Sequence, residues 1–179
     1  MLETSAATAA WFLPAVLPIC LYVAWSDMRT MKIPNIAVYV LVAVYAVIGL
    51  IVLDLNDYLW RWSHLGVALV AGIVLNLIRL IGAGDAKFIA ASGPFIATAD
   101  LRALIPIYIL SFLASYLVHR IAKFTPIRQL APDWTSWDAG KRFPMGFALA
   151  TTLVVYLVLA LRPDWYAAAL GILPALMAL

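Results

Sequence analysis

The chain alternates long apolar runs with short polar stretches, and this pattern limits its fold more than any other feature. Most of the runs approach the roughly 20 residues that an α-helix needs to cross the about 30 Å hydrocarbon core of a bilayer. Of the 179 residues, 66% are hydrophobic and 12% are charged, whereas a globular domain has about 45–50% apolar and about 25% charged residues. A soluble fold of this size cannot bury so much apolar surface. The sequence therefore predicts an all-α, polytopic membrane protein.

The hydropathy pattern predicts six transmembrane helices in a single integral-membrane domain, residues 1–179. Their predicted bounds are Ala6–Trp25, Ile33–Leu53, Ser63–Leu80, Ala86–Ala99, Leu101–Val118 and Phe143–Leu161. The fourth helix is short and is interrupted by Gly93-Pro94. The apolar tail, residues 164–179, is only marginally long for a seventh helix. The polar residues 119–142, which include Trp134 and Trp137, favour a cytoplasmic or interfacial loop.

Lys and Arg residues in the short loops predict the orientation, because they are enriched on the cytoplasmic side of membrane proteins. An outside N-terminus leaves three of them outside: Arg61, Arg102 and Arg162. The other nine fall inside: Arg29, Lys32, Arg79, Lys87, Arg120, Lys123, Arg128, Lys141 and Arg142. This bias predicts an outside N-terminus in the cytoplasmic membrane. The net charge of +3 is then explained by topology and attraction to anionic lipid, and no nucleic-acid partner is expected.

Two aspartates in unusual local sequences, Asp27 and Asp85, are predicted to reach the same membrane face. Two predicted crossings separate them, and an even number of crossings returns the chain to the face it left. Two further crossings bring residues 142–146, Arg-Phe-Pro-Met-Gly, to that face as well. The least ordinary stretches of the chain are thus expected at one end of the bundle.

Two carboxylates held close together cannot both ionise readily, so one keeps a proton while the other acts as a base. Such a pair can deprotonate a water for attack on a peptide carbonyl and then protonate the leaving nitrogen. This chemistry needs neither metal nor cofactor, and the single cysteine, Cys20, is interpreted as an apolar filler. Gly82 and Gly84 are expected to let the backbone bend tightly beside Asp85 and to leave room for a substrate strand.

Other interpretations of the aspartates remain open from the residues alone. A lone aspartate at a helix end is more often an interfacial charge, a cap or an ion-pair partner than a catalyst. Intramembrane carboxylates also serve small proton- or cation-coupled transporters and channels, and a structural scaffold for a secretion machine would need neither of them. The remaining aspartates are interpreted as loop charges: Asp54, Asp57, Asp100, Asp133, Asp138 and Asp164.

Taken together, these residues resemble the type IV prepilin peptidases, which are Gly-x-Gly-Asp aspartyl proteases of the membrane. The resemblance covers residues 10–160 and is carried by Asp27 with the sequence Lys-Ile-Pro-Asn at 32–35, by Gly-Ala-Gly-Asp-Ala-Lys at 82–87, and by Pro-Met-Gly at 144–146. It implies that Asp27 and Asp85 are the catalytic pair. It also implies a prepilin substrate, cut on the cytoplasmic side between a basic leader and a hydrophobic helix.

The resemblance further implies structural or positioning roles for the other motif residues, and Lys87 is equally interpreted as an ordinary interfacial lysine. These residues are Lys32, Pro34, Asn35, Gly82, Gly84, Lys87, Pro144 and Gly146.

Larger members of the family carry an N-terminal insert with paired cysteines and also methylate the new N-terminus. Here Asp27 follows the first helix directly and Cys20 is the single cysteine. The chain is therefore similar to the short, peptidase-only form that serves Flp or tight-adherence pili, with the archaeal preflagellin peptidases as an alternative. The sequence names neither the pilin nor the oligomeric state.

Overall fold

The secondary structure of the described residues is helical, as the sequence predicts. The structure is a computed structural model that describes residues 2–140 and 142–168, and it contains no strand within these ranges. Six helices that lie wholly within these ranges make up the bundle: α1 Ala6–Thr30, α2 Asn35–Val52, α3 Leu55–Leu77, α4 Ala83–Ser92, α5 Leu101–Phe124 and α6 Met145–Leu161. The seventh helix considered for the tail falls largely outside the described residues.

Among the described residues, four helical segments are long and apolar enough to cross a membrane: Ala6–Thr30, Asn35–Val52, Leu55–Leu77 and Thr98–Phe124. The apolar helix α6 has 17 residues, which is at the lower end of the spanning range of about 17–25 residues. Helix α4 has only 10 residues, or about 15 Å. A 3₁₀ turn at Gly93–Phe95 and the extended Ile96 continue the path from α4 towards α5. The predicted short, interrupted fourth segment is therefore present.

Helix α1 lies at the centre of the bundle, where it packs against α6 and α2. Its residue Phe12 contacts the rings of Tyr45 and Phe95, with centroid distances of 6.1 and 4.9 Å. By contrast, many large apolar side chains are exposed on the outside of the bundle. Examples are Leu21, which is 62% exposed, and Ile105, which is 63% exposed. Lipid solvates such side chains as well as a protein core does, so close packing and buried hydrogen bonds hold the helices together.

The end of the bundle opposite Asp27 is closed around Asp100. This carboxylate is 3% exposed and accepts hydrogen bonds from the backbone N–H groups of Glu3 (2.7 Å) and Thr4 (3.1 Å) and from the Tyr156 hydroxyl (2.7 Å). The interpretation of Asp100 as a loop charge is wrong, because the start of α5 folds onto both the N-terminal segment and α6. Helix α1 connects this end of the bundle to Asp27 and rises by about 1.5 Å per residue, so the Asp100 contacts and Asp27 lie at opposite ends of the helix.

Several helices run further than their hydropathy predicts. Helix α1 continues past Trp25 to Thr30, α3 begins at Leu55 instead of Ser63, and α5 continues past Val118 to Phe124. Several of the charged and polar residues in these extensions are buried or paired: Asp27 and His119 are buried, and the Arg29 guanidinium lies over the Trp25 ring, 5.1 Å from its centroid. Within α3, Arg61 forms an ion pair with Asp57 at 2.8 Å, one turn earlier.

The connection between α5 and α6 packs partly onto the protein. His119 lies within α5, is 1% exposed, and stacks on Trp137 with ring centroids 5.2 Å apart. Trp137 is itself buried in the protein. It therefore does not lie on the membrane surface, where the composition of the loop 119–142 placed it. The segment between the two helices accordingly begins at Thr125, several residues after the predicted start at 119.

Candidate active site

Asp27 is placed by the way α1 ends. The next turn stops at Met31, which adopts a left-handed conformation (φ 56°) and donates its N–H to the Asp27 carbonyl oxygen at 2.9 Å. This is a helix C-terminal motif that usually employs glycine. The Ser26 hydroxyl then donates to the Lys32 carbonyl oxygen at 3.1 Å, which holds the following segment back against the helix. The Asp27 side chain is consequently inside the protein, at 4% exposure.

The first turn of α6 holds the Asp27 carboxylate. The Gly146 N–H donates to Asp27 Oδ2 at 2.7 Å. The first N–H groups of a helix have no partner within the helix, and the helix dipole favours negative charge at this end. The buried Pro144 precedes the helix as its N-cap residue. Sequence reasoning assigned Gly146 a role in helix entry, and the structure places it in direct contact with the aspartate.

Asp85 lies in the first turn of α4, where its Oδ2 atom accepts a hydrogen bond from the Gly82 N–H at 3.2 Å. Gly82 has an ordinary extended conformation (φ −69°, ψ 150°), and neither Gly82 nor Gly84 is among the described residues with positive φ. The expected tight backbone bend is therefore not the reason for these glycines.

Space explains the glycine at position 82 better. A Cβ atom at Gly82 would lie 2.7 Å from Asp85 Oδ2, too close for the present carboxylate position. The absent side chain therefore allows the Asp85 carboxylate to fold back on its own helix start. At Gly84, by contrast, a Cβ atom would lie 3.4 Å from Ile33 Cβ, which is an ordinary packing distance.

Asp27 and Asp85 line one cavity of about 340 Å³. It is built from the end of α1, the connection to α2, the start of α4 and the connection into α6. Its remaining lining residues are Met31, Lys32, Ile33, Asn35, Gly82, Ala83, Gly84, Lys87, Phe143 and Met145. Asp27 is buried and Asp85 is half-buried, so the two carboxylates that line the cavity differ in their exposure.

The remaining motif residues surround this cavity without touching either carboxylate through a hydrogen bond. Lys87 Nζ donates to Asn35 Oδ1 at 3.1 Å, which links α4 to the first residue of α2. Pro34 is the N-cap residue of α2 with φ −66°, the value that its ring imposes. Lys32 lines the cavity and is exposed.

Sequence reasoning did not single out the apolar residues of the site. Ile33 lies between Gly84 and Gly146, and a Cβ on Gly146 would come within 2.8 Å of its side chain. Met31, Phe143 and Met145 also line the cavity. Apolar side chains give no chemical indication in a chain that is mostly apolar. Only the positions of Ile33, Phe143 and Met145 inside the Lys-Ile-Pro-Asn sequence at 32–35 and the Arg-Phe-Pro-Met-Gly sequence at 142–146 point to this place.

The described residues form no cluster of metal ligands at the site. Within residues 2–140 and 142–168, no group of three or more His, Cys, Asp or Glu side chains is placed to hold a metal ion. The chemistry that the cavity itself offers is acid–base chemistry by two carboxylates.

The chain matches a known protein family. The description of the type IV leader peptidase family fits residues 15–121. This segment includes both aspartates and the sequences at 32–35 and 82–87, and it ends before Pro144. Neither the curated proteins nor the solved structures contain a match. Since the family match covers more than half of the 179 residues, the chain belongs to the type IV leader peptidase family.

Proposed function

We propose that this protein is an aspartic endopeptidase that removes the leader peptides of Flp-type prepilins at the cytoplasmic face of the inner membrane. Membership of the leader peptidase family supports the protease activity and the prepilin class of substrate. The observation that carries the proposal is that Asp27 and Asp85, from helices well separated in the chain, line the same cavity.

The backbone contacts suit a pair of carboxylates that share one proton. In each aspartate, Oδ2 accepts a hydrogen bond from a backbone N–H, from Gly146 for Asp27 and from Gly82 for Asp85. These contacts fix the orientation of both carboxylates before substrate binds, which lowers the reorganisation needed during reaction. The proton belongs to the pair and not to one residue.

The reaction would proceed in two steps. The ionised carboxylate takes a proton from a water held between the pair while the water oxygen bonds to the scissile carbonyl carbon, and the protonated carboxyl gives its proton to the carbonyl oxygen. The resulting diol then collapses: the C–N bond breaks, one diol hydroxyl loses its proton to the aspartate that is now ionised, and the leaving nitrogen receives the proton taken from the water. The products are the leader carboxylic acid and a new amino terminus.

The placement of the aspartates favours a protease over a transporter. Transporters of this kind keep their coupling carboxylates near the bilayer midplane. Here Asp27 lies in the last turn of α1 and Asp85 in the first turn of α4. Both are therefore at helix ends, where the polar leader of a membrane-bound substrate would lie. The single cysteine, Cys20, is buried within α1, which supports the peptidase-only form without N-methyltransferase activity.

Neutral variants of the two aspartates test the proposal. We expect Asp27→Asn and Asp85→Asn each to slow conversion of a prepilin to its shorter form by about 10²- to 10⁴-fold, the usual contribution of a positioned acid or base. The measurement is a processing assay with purified enzyme in detergent or liposomes. Asp54→Asn is the matched control, because Asp54 is exposed at the start of α3 and does not line the cavity.

Folding must be checked in parallel, since Asp27 is buried. Thermal unfolding and membrane yield of each variant provide this check. Normal processing by both folded aspartate variants would remove the protease proposal and leave a transporter or a scaffold as the explanation.

A further inference from the structure

A second, apolar cavity of about 330 Å³ adjoins the cavity of the two aspartates. It lies between α4 and α5, and α6 forms its floor. Both α4 and α5 pack against α6, and the cavity lies between residues of α4 and residues of α5. The two cavities share Asp85 and Met145. The apolar cavity, called here the α4–α5 groove, therefore opens directly onto one carboxylate of the proposed catalytic pair.

The groove is elongated along the helices. On α4, it is lined by Asp85, Phe88, Ile89 and Ser92, whose spacing of three, four and seven residues places them on one helix face. On α6, Met145, Leu149 and Leu153 follow the same rule. At 1.5 Å per residue, both faces extend about 10–12 Å from the aspartate end, or two helical turns.

The polar side chains in the groove leave little for a polar ligand to bind. The Ser92 hydroxyl donates to the Phe88 carbonyl oxygen and the Thr152 hydroxyl to the Ala148 carbonyl oxygen, both at 2.8 Å. Asp85 and Tyr108 are the remaining polar lining residues. A suitable occupant is therefore apolar and satisfies its own backbone hydrogen bonds, as a helix does in lipid. Because a helix with side chains is about 10–12 Å wide, the groove can take one face of a helix but not a whole one.

We propose that the α4–α5 groove binds one face of the hydrophobic helix of the prepilin substrate, so that the peptide bond just before that helix lies at Asp85. This inference rests on the proposed function. Continuity with the two-aspartate cavity identifies the occupant, since a groove that begins at the reacting carboxylate suits a chain that must pass by it. Another apolar groove, between α1 and α2 and lined by Pro18, Tyr22 and Val40, reaches neither aspartate.

The geometry also predicts which substrate residues matter. Two turns of groove accommodate side chains at helical spacing, so substrate positions three or four and seven or eight residues beyond the cleaved bond would enter it. Positions between them would face lipid. A lipid acyl chain in the groove would show no such period.

Cross-linking tests the site independently of catalysis. Cys20→Ala removes the single cysteine, and Asp27→Asn keeps bound prepilin uncut. In this background, Leu149→Cys lies in the groove, whereas Leu113→Cys lies on the exposed side of α5, outside it. The substrate is a set of prepilin variants, each with a single cysteine at one of the first ten positions after the cleavage site. We expect Leu149→Cys to cross-link with maxima three or four and seven or eight residues after the bond, and Leu113→Cys to give no maximum.

The KM values of two tryptophan variants complete the test. Leu104→Trp fills the groove, while Leu113→Trp, nine residues later and about 180° around the same helix, does not. We expect Leu104→Trp to raise the KM for prepilin by about tenfold or more and Leu113→Trp to leave it within about twofold. Equal effects of the two tryptophans, or cross-linking without a helical period, would overturn the groove assignment even though the enzyme cleaves prepilin. Failure of the wild-type protein to cleave prepilin, with periodic cross-linking intact, would instead overturn the proposed protease activity.

Discussion

The contact between Gly146, Ile33 and Asp27 positions the deeper of the two carboxylates. A Cβ on Gly146 would lie 2.8 Å from Ile33 Cγ1 and Cδ1 and 3.0 Å from Asp27 Oδ2. The same glycine donates its N–H to that oxygen. The close approach of backbone to carboxylate thus depends on the absence of a side chain, and Ile33 fills the remaining space between α4 and α6.

Gly146→Ala is expected to lower the free energy of unfolding by about 1–3 kcal/mol, the usual cost of overpacking a buried site, and to reduce prepilin cleavage by displacing Asp27. Ile33→Ala should then cost less stability in the Gly146→Ala protein than in the wild type, because the two side chains compete for the same space and their costs are less than additive. Denaturant unfolding in detergent measures the stability of each variant. Gly66→Ala is the control, because a Cβ atom at Gly66 would meet no other part of the protein within 4 Å, and there we expect a gain of about 0.5–1 kcal/mol. A neutral Gly146→Ala would contradict the packing argument.

Helix ends, more than helix middles, determine where the site residues lie. Helix α3 ends in a Schellman motif: the Leu80 N–H donates to the Leu75 carbonyl oxygen and the Arg79 N–H to the Asn76 carbonyl oxygen, both at 2.9 Å. Arg79 has φ 62° at the position that glycine usually occupies. The Asn76 amide then donates to the Ile81 carbonyl oxygen at 2.8 Å, immediately before Gly82. The end of one helix thereby sets the start of the helix that carries Asp85.

Arg79→Gly is expected to raise the free energy of unfolding by about 0.5–1 kcal/mol, because glycine adopts the left-handed conformation without a Cβ penalty, although it loses more chain entropy on folding. Arg79→Ala removes the same charge but keeps the Cβ, so it should give no comparable gain. Thermal and denaturant unfolding of the pair separate the conformational effect from the charge effect. Equal stability of the glycine and alanine variants would show that the left-handed conformation at this position carries no cost.

The whole molecule has two chemically different ends. One end gathers the two-aspartate cavity with Lys32 and Lys87 at its rim. The other end is closed by the Asp100 hydrogen bonds with the N-terminal segment. Together with the bias of Lys and Arg residues, this arrangement supports the proposal that the aspartate end faces the cytoplasm.

Thiol labelling in intact cells tests this orientation. In a Cys20→Ala background, we expect Asp54→Cys to react with a membrane-impermeant maleimide from outside, and Asp138→Cys to react only after the membrane is permeabilised. Both positions are exposed, which makes them a matched pair. The reverse labelling pattern would place the aspartate cavity outside the cell and contradict cytoplasmic cleavage, while leaving the fold unaffected.

Much of the fold and the candidate pair could be predicted from the sequence, for a physical reason. The bilayer requires every crossing segment to be apolar by itself, so each transmembrane helix can be recognised from its own stretch of sequence. Counting the crossings then predicts that Asp27 and Asp85 lie at the same end of the bundle. The structure places both aspartates in one cavity. Helix bounds were less predictable, because α1 and α5 continue through polar residues such as Asp27 and His119, which are buried by contacts with other parts of the chain.

Contacts between helices could not be derived in this way. The Gly146 hydrogen bond to Asp27, the burial of Asp100 and His119, and the groove between α4 and α5 depend on which faces of the helices meet. In a chain that is 66% hydrophobic, apolar residues face lipid and protein alike, so hydropathy does not distinguish the two surfaces. Local chemistry therefore determines how often the chain crosses the membrane, whereas close packing determines which side chains share a cavity.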